Sequence, residues 1–325
     1  MLDQYQRDIH YMRISVTDRC NLHCRFCMPE ENYSFLPDEK LLSYEEILKV
    51  VRAVVPLGIR CFRITGGEPL MRPGIAEFIG KMKRTDGVEQ VFLTTNGIRL
   101  KSQLAQLKAA GIDGINVSLC STDAGEYEWL TGGGKSDQAL EGILECVRNG
   151  IPTKVNCVPL PGMNEEHMKD VAALARDNRV DVRFIEMMPI GEGKHYQMIS
   201  SDTLLAQLGA IYGKAVQTAE KRGNGPAVYY RFPDFQGNVG FISARTHAFC
   251  DQCNRVRLTA DGKLKLCLNY ETGADLKGLL EENKTETELS NALKACIYQK
   301  PMRHNFNDKN KNNTEDQRFM AQIGG

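Results

Sequence analysis

Three cysteines near the amino terminus carry the most specific chemistry in the chain. Cys20, Cys24 and Cys27 form a C-x3-C-x2-C array directly after an apolar run. Three thiolates on so short a loop can hold three corners of a [4Fe–4S] cube and leave the fourth iron without a protein ligand. Structural zinc prefers four ligands, which neither His10 nor His23 completes, and crowded cysteines without an export signal rarely form disulfides. The array therefore predicts an iron–sulfur cluster with one open iron.

A second cysteine array lies in the last third of the chain. Cys250 and Cys253 are followed by Cys267 after thirteen intervening residues. Three thiolates again suit a cluster with an open iron, and a zinc site completed by His247 is the alternative. The remaining cysteines are scattered, and small core residues are the simplest interpretation of them: Cys61, Cys120, Cys146, Cys157 and Cys296.

Several cations fall on segments that read as strands. Arg13, Arg63, Lys154 and Arg183 would lie on four strands of one sheet, and a buried cation is rare unless it is paired. These residues therefore predict either internal ion pairs or an anionic ligand. Arg255 and Arg257 are separated by one residue and share a face if the chain is extended there. Guanidinium groups suit phosphate recognition, although a solvated strand face is the alternative.

Composition limits the remaining classes of protein. The chain has 325 residues, 42% of them hydrophobic and 25% charged, which is ordinary for a globular protein. Lys plus Arg and Asp plus Glu both number 41, so no global field favours nucleic acid or an anionic membrane. No apolar run approaches the roughly 18 residues of a membrane span, and the first residues lack signal-peptide character. We expect a cytoplasmic protein without a nucleic-acid or membrane partner.

The first two-thirds of the chain alternates β-rich runs with amphipathic segments, which is typical of repeated βα units. Strands are predicted at 11–17, 60–65, 90–95, 113–119, 152–158 and 181–187. Helices are predicted at 44–55, 74–84, 100–110, 137–149, 165–177 and 202–212. Polar residues follow or close every predicted strand, so they meet at one mouth only if the sheet curls. We therefore predict an α/β fold with a partial (βα)6 TIM-type barrel, in preference to an open doubly wound sheet.

The βα rhythm stops beyond about residue 215. Short alternating runs at 227–232 and 238–243 predict a small β segment before the second cysteine array. We divide the chain into a barrel at 1–222 and a C-terminal segment at 223–325. The polar run from Asn307 to Gln317 predicts a loop or disorder. After it, the apolar end that finishes in Gly324-Gly325 could reach back and place a carboxylate among the arginines.

The first array resembles the signature of radical S-adenosylmethionine (SAM) enzymes, in which an aromatic residue precedes the last cysteine, as Phe26 does here. Gly66-Gly67-Glu68-Pro69 is similar to the Gly-Gly-Glu motif of the same superfamily. The resemblance implies that the amino and carboxylate groups of SAM chelate the open iron. It also implies that the reduced cluster cleaves SAM to a 5′-deoxyadenosyl radical.

Within that superfamily the whole chain resembles the GTP 3′,8-cyclase family of molybdenum-cofactor biosynthesis. The resemblance rests on six stretches: Arg13 to Cys20, Arg63 to Leu70, Ile115 to Ser118, Arg183 to Glu186, the second array, and Gly324-Gly325. It implies a radical SAM lyase that abstracts the 3′ hydrogen of GTP. The product is (8S)-3′,8-cyclo-7,8-dihydroguanosine 5′-triphosphate, the first intermediate of molybdopterin biosynthesis.

The resemblance also implies a role for each site residue. Two [4Fe–4S] clusters are implied, one on Cys20, Cys24 and Cys27 for SAM and one on Cys250, Cys253 and Cys267 for substrate. The SAM contacts are Phe26, Gly67, Glu68, Ser118 and Met188. The GTP contacts are Arg13, Arg63, Thr94, Lys154, Arg183, Arg255, Val256 and Arg257. Arg255, Arg257, Gly324 and Gly325 are implied to act in catalysis. Two residues depart from the family, which often has tyrosine at Phe26 and commonly aspartate at Cys120.

The implied partners are GTP, a flavodoxin- or ferredoxin-type electron donor and the downstream cyclic pyranopterin monophosphate synthase, and a homodimer is left open. Two alternatives remain at this point. One is a radical SAM enzyme that acts on a peptide, although such enzymes typically carry more C-terminal cysteines. The other is a non-catalytic zinc- or nucleotide-binding protein, which would need a closed four-ligand site that neither array offers.

Replacing one thiol tests the first cluster. We expect Cys24→Ala to abolish reductive cleavage of SAM, because a cube with two thiolate ligands left loses its site on the loop. Chromatography of 5′-deoxyadenosine after anaerobic incubation with dithionite measures the effect. Retained 5′-deoxyadenosine production in this variant would contradict the cluster assignment.

Overall fold

The computed structural model describes residues 1–29, 33–220, 222–282, 284–308 and 316–325. Within these residues twelve strands form one sheet. They are β1 (Tyr11–Ser15), β2 (Cys61–Thr65), β3 (Gln90–Thr95), β4 (Gly114–Ser118), β5 (Thr153–Cys157), β6 (Asp181–Ile185), β7 (Val216–Gln217), β8 (Val228–Arg231), β9 (Val239–Ile242), β10 (Arg255–Leu258), β11 (Lys263–Lys265) and β12 (Gly273–Asp275). The strand order is β12-β11-β10-β1-β2-β3-β4-β5-β6-β9-β8-β7.

Helices connect the strands and cover the sheet. They are α1 (Tyr44–Val54), α2 (Ile75–Lys83), α3 (Leu100–Ala109), α4 (Ala124–Thr131), α5 (Ser136–Arg148), α6 (Met168–Asp177), α7 (Ser201–Tyr212), α8 (Leu276–Glu281), α9 (Glu286–Tyr298) and α10 (Met320–Ile323). The Ser43 and Glu46 side chains form the predicted capping box at the start of α1. Each of the six predicted helices is found, with ends that differ by at most three residues.

Strands β1 to β6 run parallel and in chain order, as predicted. The sheet curls, since side chains from β1, β2, β5, β6 and β10 line one common cavity. Among the described residues β12 and β7 remain as its two edges. The partial barrel is therefore confirmed, and an open doubly wound sheet is excluded because its two ends would not face a shared cavity.

The C-terminal third extends both sides of the barrel sheet. Strand β9 pairs parallel with β6, and β10 pairs parallel with β1. Helix α9 packs on α1, and the main hydrophobic core runs through both parts of the chain. The predicted helices do not include α4, α8, α9 and α10. The division at residue 222 stays a proposal, because the sheet is continuous across it.

Part of the predicted polar loop lies outside the described residues. Of the run from Asn307 to Gln317, residues 309–315 are not described. The chain is described again from Asp316, whose carboxylate is buried against the Lys265 ammonium. None of the helices formed by the described residues combines the length and apolar character that a membrane crossing requires.

Gly237 tests how the β8–β9 connection fits against the barrel. Its amide donates to the Ala175 carbonyl at the end of α6, and an added Cβ would lie 1.7 Å from the Val180 carbonyl oxygen. We expect Gly237→Ala to cost about 1–3 kcal/mol of stability, because backbone must move. The midpoint of thermal unfolding, followed by circular dichroism under anaerobic reducing conditions, measures the loss.

The matched control is Gly209→Ala inside α7, where no atom lies within 4 Å of the new Cβ. There we expect an unchanged or higher unfolding midpoint, because alanine favours helix over glycine by about 0.5–1 kcal/mol. Equal midpoints for the two variants would contradict the close packing at Gly237.

Candidate active site

The loop of the first cysteine array is held in place by the glycine motif after β2. The Gly67 amide donates to the Thr17 carbonyl and the Glu68 amide donates to the Arg19 carbonyl, each at 2.7 Å. An added Cβ at Gly67 would lie 2.4 Å from the Arg19 oxygen. Only glycine allows the two backbones to approach this closely. The motif therefore fixes the path of the chain into Cys20.

Glu68 braces the same loop from behind. Its carboxylate is fully buried and accepts from the Thr95 hydroxyl and the Asn96 amide, both at 2.7 Å. Burial raises the pKa of Glu68 to about 7. The Asn96 side chain in turn donates to Asn21 Oδ1 at 2.9 Å. Glu68 thus ties the end of β3 to the cysteine loop, and it does not itself line the neighbouring cavity.

The three thiols of the first array line one cavity of about 140 Å³, called here the first-array cavity, together with Gly66 and Gly67. Burial, then the Glu68 carboxylate, raises the pKa of Cys20 to about 11, and burial with Cys20 raises that of Cys27 to about 12. Three thiols that line one cavity, and that burial disfavours as thiolates, suit a metal centre, which stabilises the deprotonated form. Within the described part of the chain no Asp or Glu lines this cavity, and its three thiols form a soft donor set that fits iron–sulfur ligation.

The expected SAM contacts surround this site. Phe26 and Ser118 line both the first-array cavity and an adjoining central cavity of about 230 Å³, and Met188 lines the central cavity. Cys120 also lines the central cavity beside Cys24 and Cys27. Burial raises the pKa of the Cys120 thiol to about 12, so Cys120 places a neutral thiol beside the first array.

The second array lines its own cavity of about 150 Å³, called here the second-array cavity. Cys250, Cys253 and Cys267 face it together with Lys300 and His304. Burial raises the pKa of the Cys253 thiol, but Lys300 and Arg255 outweigh burial and bring that pKa below its usual value. A thiol poised toward thiolate beside two cations fits a metal cluster with a negative charge.

The structure does not support zinc completed by His247. The His247 ring is exposed and pairs with Asp202 at 2.9 Å, and it does not line the second-array cavity. The histidine that reaches this cavity is His304, because the segment after α9 folds back over the array. The buried Arg7 guanidinium holds that arrangement by donating to the carbonyl oxygens of Cys250 at 3.0 Å and Met302 at 2.8 Å.

A third cavity, of about 110 Å³, is strongly basic. In the described part of the chain, six cations line it and no Asp or Glu does. They are Arg13, Arg63, Lys154, Arg183, Arg222 and Arg255. Burial, together with the positive charge of Arg183, lowers the pKa of Lys154 to about 7. Among the described residues the buried Nε atoms of Arg13 and Arg255 have no hydrogen-bond partner. Such a site requires an anion for its charges and its unpaired donors.

Arg13 joins the cavities. It lines the basic, central and second-array cavities alike, and burial followed by the charge of Arg257 lowers its pKa well below the usual value. The C-terminal residues reach the same point. Arg13 donates to the Gly325 carbonyl, and Arg257 donates to the Gly324 carbonyl at 2.8 Å. Gly324 has φ of +86° and leaves no space for a Cβ beside Ser15.

Two expected GTP contacts take indirect positions. Thr94 lines the central cavity, although its hydroxyl is engaged by Arg63 at 3.4 Å, while Val256 is buried in the hydrophobic core on the opposite face of β10 from its two arginine neighbours. Sequence reasoning missed Tyr11, Tyr229 and Arg222. Tyr11 begins β1 on the same face as Arg13, so the period of two could have revealed it. Arg222 reaches the basic cavity, and the Tyr229 hydroxyl accepts from Lys154 at 3.2 Å, only through tertiary contacts.

Comparison with known proteins agrees with this geometry. Residues 14–175 match the family model of the radical SAM superfamily, and residues 180–306 match that of Molybdenum Cofactor Synthesis C. The chain is 39% identical to the GTP 3′,8-cyclase of Clostridium perfringens strain 13 over all of both chains. It is 41% identical to that of Pelotomaculum thermopropionicum, again over all of both chains.

Solved structures share the fold at low identity. SuiB of Streptococcus suis bound to the precursor peptide SuiA has a TM-score of 0.60 at 15% identity, covering 91% of this chain and 66% of SuiB. SuiB bound to S-adenosylmethionine has a TM-score of 0.53 at 16% identity, covering 80% and 60%.

The partial barrel and the match over 14–175 define a radical SAM enzyme. More narrowly, full-length identity of about 40% to curated relatives shows that the chain belongs to the GTP 3′,8-cyclase family. Membership brings SAM and a [4Fe–4S] cluster as cofactors, for which the first-array cavity has the required donors.

Gly67→Ala tests the clamp on the cysteine loop. We expect the variant to lose most of its iron at the first array and most of its SAM binding, because the added Cβ displaces the backbone that leads into Cys20. Iron and sulfide analysis, visible absorbance and equilibrium binding of SAM measure the effect. The control is Gly125→Ala near the start of α4, where the nearest atom lies 3.6 Å from the new Cβ. Normal iron content and SAM affinity in Gly67→Ala would contradict the clamp.

Proposed function

We propose that this protein converts GTP to (8S)-3′,8-cyclo-7,8-dihydroguanosine 5′-triphosphate, the first step of molybdenum-cofactor biosynthesis. The proposal rests on the observation that Arg13 lines three adjoining cavities. One guanidinium lines the basic, central and second-array cavities, so a single ligand can reach all three. A nucleoside triphosphate has the matching parts, which are an anionic chain, a ribose and a base with ring donors and acceptors.

The basic cavity binds the phosphates in this proposal. Arg63, Lys154 and Arg183 supply charge-assisted hydrogen bonds, and Arg183 is only 6% exposed, so solvent screens its charge little. Tyr11 orients the site because its hydroxyl accepts from Arg63 Nε. An anion there also offsets the mutual repulsion of the cations. The phosphates thus anchor the substrate at a fixed distance from the first array.

The second-array cavity takes the guanine. We propose that Cys250, Cys253 and Cys267 hold a second [4Fe–4S] cluster whose open iron faces the base. Arg255 and Arg257 lie between this cavity and the other two, where they can hold the ribose and the first phosphate. The Gly324 and Gly325 carbonyls fix the two arginines Arg257 and Arg13 from the opposite side.

The central cavity brings the ribose to SAM. When bound, SAM and the first cluster supply the 5′-deoxyadenosyl radical that removes a substrate hydrogen. Phe26, Ser118 and Met188 form the wall that holds SAM against this cavity. The largely apolar lining excludes water from the reacting atoms. Positioning is therefore the main contribution of the protein to the reaction.

We also propose the partners that this activity requires. A flavodoxin- or ferredoxin-type protein would deliver electrons, and cyclic pyranopterin monophosphate synthase would consume the product. A peptide substrate is the second candidate, since SuiB shares the fold and was solved with its precursor peptide. The basic cavity favours GTP, because its six cations match a triphosphate better than a peptide of unspecified charge.

The reconstituted protein can be incubated anaerobically with SAM, dithionite and each nucleoside triphosphate in turn. We expect 5′-deoxyadenosine and a 3′,8-cyclised nucleotide with GTP alone. 5′-Deoxyadenosine that forms slowly and independently of the nucleotide would overturn the substrate and favour the peptide alternative.

Proton uptake on binding tests the phosphate site. The pKa of Lys154 is about 7 in the free protein, so at pH 8.5 the amine is mostly neutral. A bound polyphosphate raises that pKa toward the ordinary value of about 10.4. We therefore expect uptake of up to about one proton per GTP at pH 8.5, and little at pH 6, where the amine is already charged.

Calorimetry in two buffers of different ionisation enthalpy measures this uptake. Lys154→Met should abolish it and weaken binding, whereas Lys154→Arg should abolish it and retain most of the affinity, because guanidinium stays charged. The same uptake in Lys154→Met as in the parent protein would refute the phosphate role of Lys154.

A further inference from the structure

A short segment closes the far end of the basic cavity. We call Arg222–Pro226 the strap. All five of its residues line that cavity. Arg222 Nε donates to the Asp181 carboxylate at 2.9 Å, and the Arg222 carbonyl accepts from Lys154 Nζ. The Asn224 side chain donates to the Gln90 side chain at 2.9 Å. The backbone carbonyl of Asn224 accepts from the Asn254 side chain at 3.1 Å. The strap is therefore tied to the barrel at four points.

The anchors show where the strap lies. Gln90 is the first residue of β3, Asp181 is the first of β6, and Asn254 directly precedes β10. The amino-terminal ends of parallel strands share one end of a barrel. The first cysteine array follows β1 at its carboxyl-terminal end. The strap thus forms the floor of the barrel, opposite the cysteine loop.

The floor offers hydrogen-bond donors without acceptors. Among the described residues the amides of Gly223, Asn224 and Gly225 have no hydrogen-bond acceptor. Gly223 has φ of +88°, and a Cβ there would approach Lys154 Nζ to 3.3 Å. A Cβ at Gly225 would lie 3.8 Å from Arg183 Nη1. Backbone segments that bind phosphate typically contain glycines whose amides lack an acceptor and lie close to cationic side chains.

The unpaired arginine atoms supply an independent observation. Arg13 Nε and Arg255 Nε are buried without partners, and both residues line the cavity above the strap. The Arg222 guanidinium donates to Asp181 at 2.9 Å and to Glu220 at 2.6 Å, and Asn238 Nδ2 also donates to Asp181 at 3.1 Å. These carboxylates are therefore engaged, and an anionic ligand in the cavity would supply acceptors for the two arginine Nε atoms.

We propose that the strap binds the terminal phosphate of the substrate and selects the length of the phosphate chain. This inference rests on the proposed function, because a substrate with its ribose at the central cavity places its last phosphate deepest in the barrel. A triphosphate reaches the strap amides and Arg222. A diphosphate or monophosphate does not reach them and forgoes these charge-assisted hydrogen bonds, so its affinity is lower.

The test compares the affinities of GTP, GDP and GMP by calorimetry on the reconstituted holoenzyme. The first variant is Asn224→Asp, which is nearly isosteric and adds a negative charge to the floor. Its control is Gln217→Glu on the exposed strand β7. The second variant is Arg222→Gln, with Arg231→Gln on β8 as its control. Circular dichroism and iron content establish that each variant folds.

We expect Asn224→Asp and Arg222→Gln to weaken GTP binding about ten-fold, which corresponds to about one lost charge-assisted interaction. GMP binding should change less than about two-fold, and the controls should behave like the parent protein. An unchanged ratio of GTP to GMP affinity in both variants would overturn the strap proposal.

Inorganic tripolyphosphate separates this proposal from the proposed function. If tripolyphosphate binds the parent protein and Asn224→Asp weakens it, the strap is a polyphosphate site even if no GTP is cyclised. If GTP is cyclised and both variants keep the parent preference for GTP over GDP and GMP, the proposed function stands and the strap proposal fails.

Discussion

The mutual repulsion of cations gathered inside the barrel is the constraint on which this structure depends. Arg13, Arg63, Lys154 and Arg183 come from four different strands and converge because the sheet curls. Their cost appears in the lowered pKa of Lys154, Arg13 and Arg183, each of which burial drives first. An anionic ligand removes that cost. The barrel is therefore shaped for a substrate whose charge completes it.

Backbone contacts connect the strand that carries Arg13 to the loop of the first cysteine array. Arg13 lies on β1, five residues before the carbonyl of Asp18 and six before that of Arg19, in the segment that the Gly67 region clamps. The C-terminal glycines connect the same strand to β10 through Arg13 and Arg257. The distance between the phosphate end and the cysteine loop is thus fixed by one strand rather than by a hinge.

The sequence alone predicted the features that depend on residues close together in the chain. The period of two on β1, β2 and β5 identified Arg13, Arg63 and Lys154, and the capping box at Ser43 located α1. Sequence-based prediction failed for residues whose position depends on tertiary contacts. Arg222 reaches Asp181 across forty residues, and His304 rather than His247 meets the second array because the segment after α9 folds back. Helix α4 was missed although Asp123 caps it and Gly132 ends it.

The central claim is that one ligand, anchored by its phosphates, presents its ribose to SAM. The most direct test uses GTP carrying deuterium at C3′ in a single anaerobic turnover, with mass spectrometry of the 5′-deoxyadenosine formed. The account predicts one deuterium in 5′-deoxyadenosine and none left at C3′ of the cyclised nucleotide. Unlabelled 5′-deoxyadenosine alongside fully deuterated GTP would contradict it.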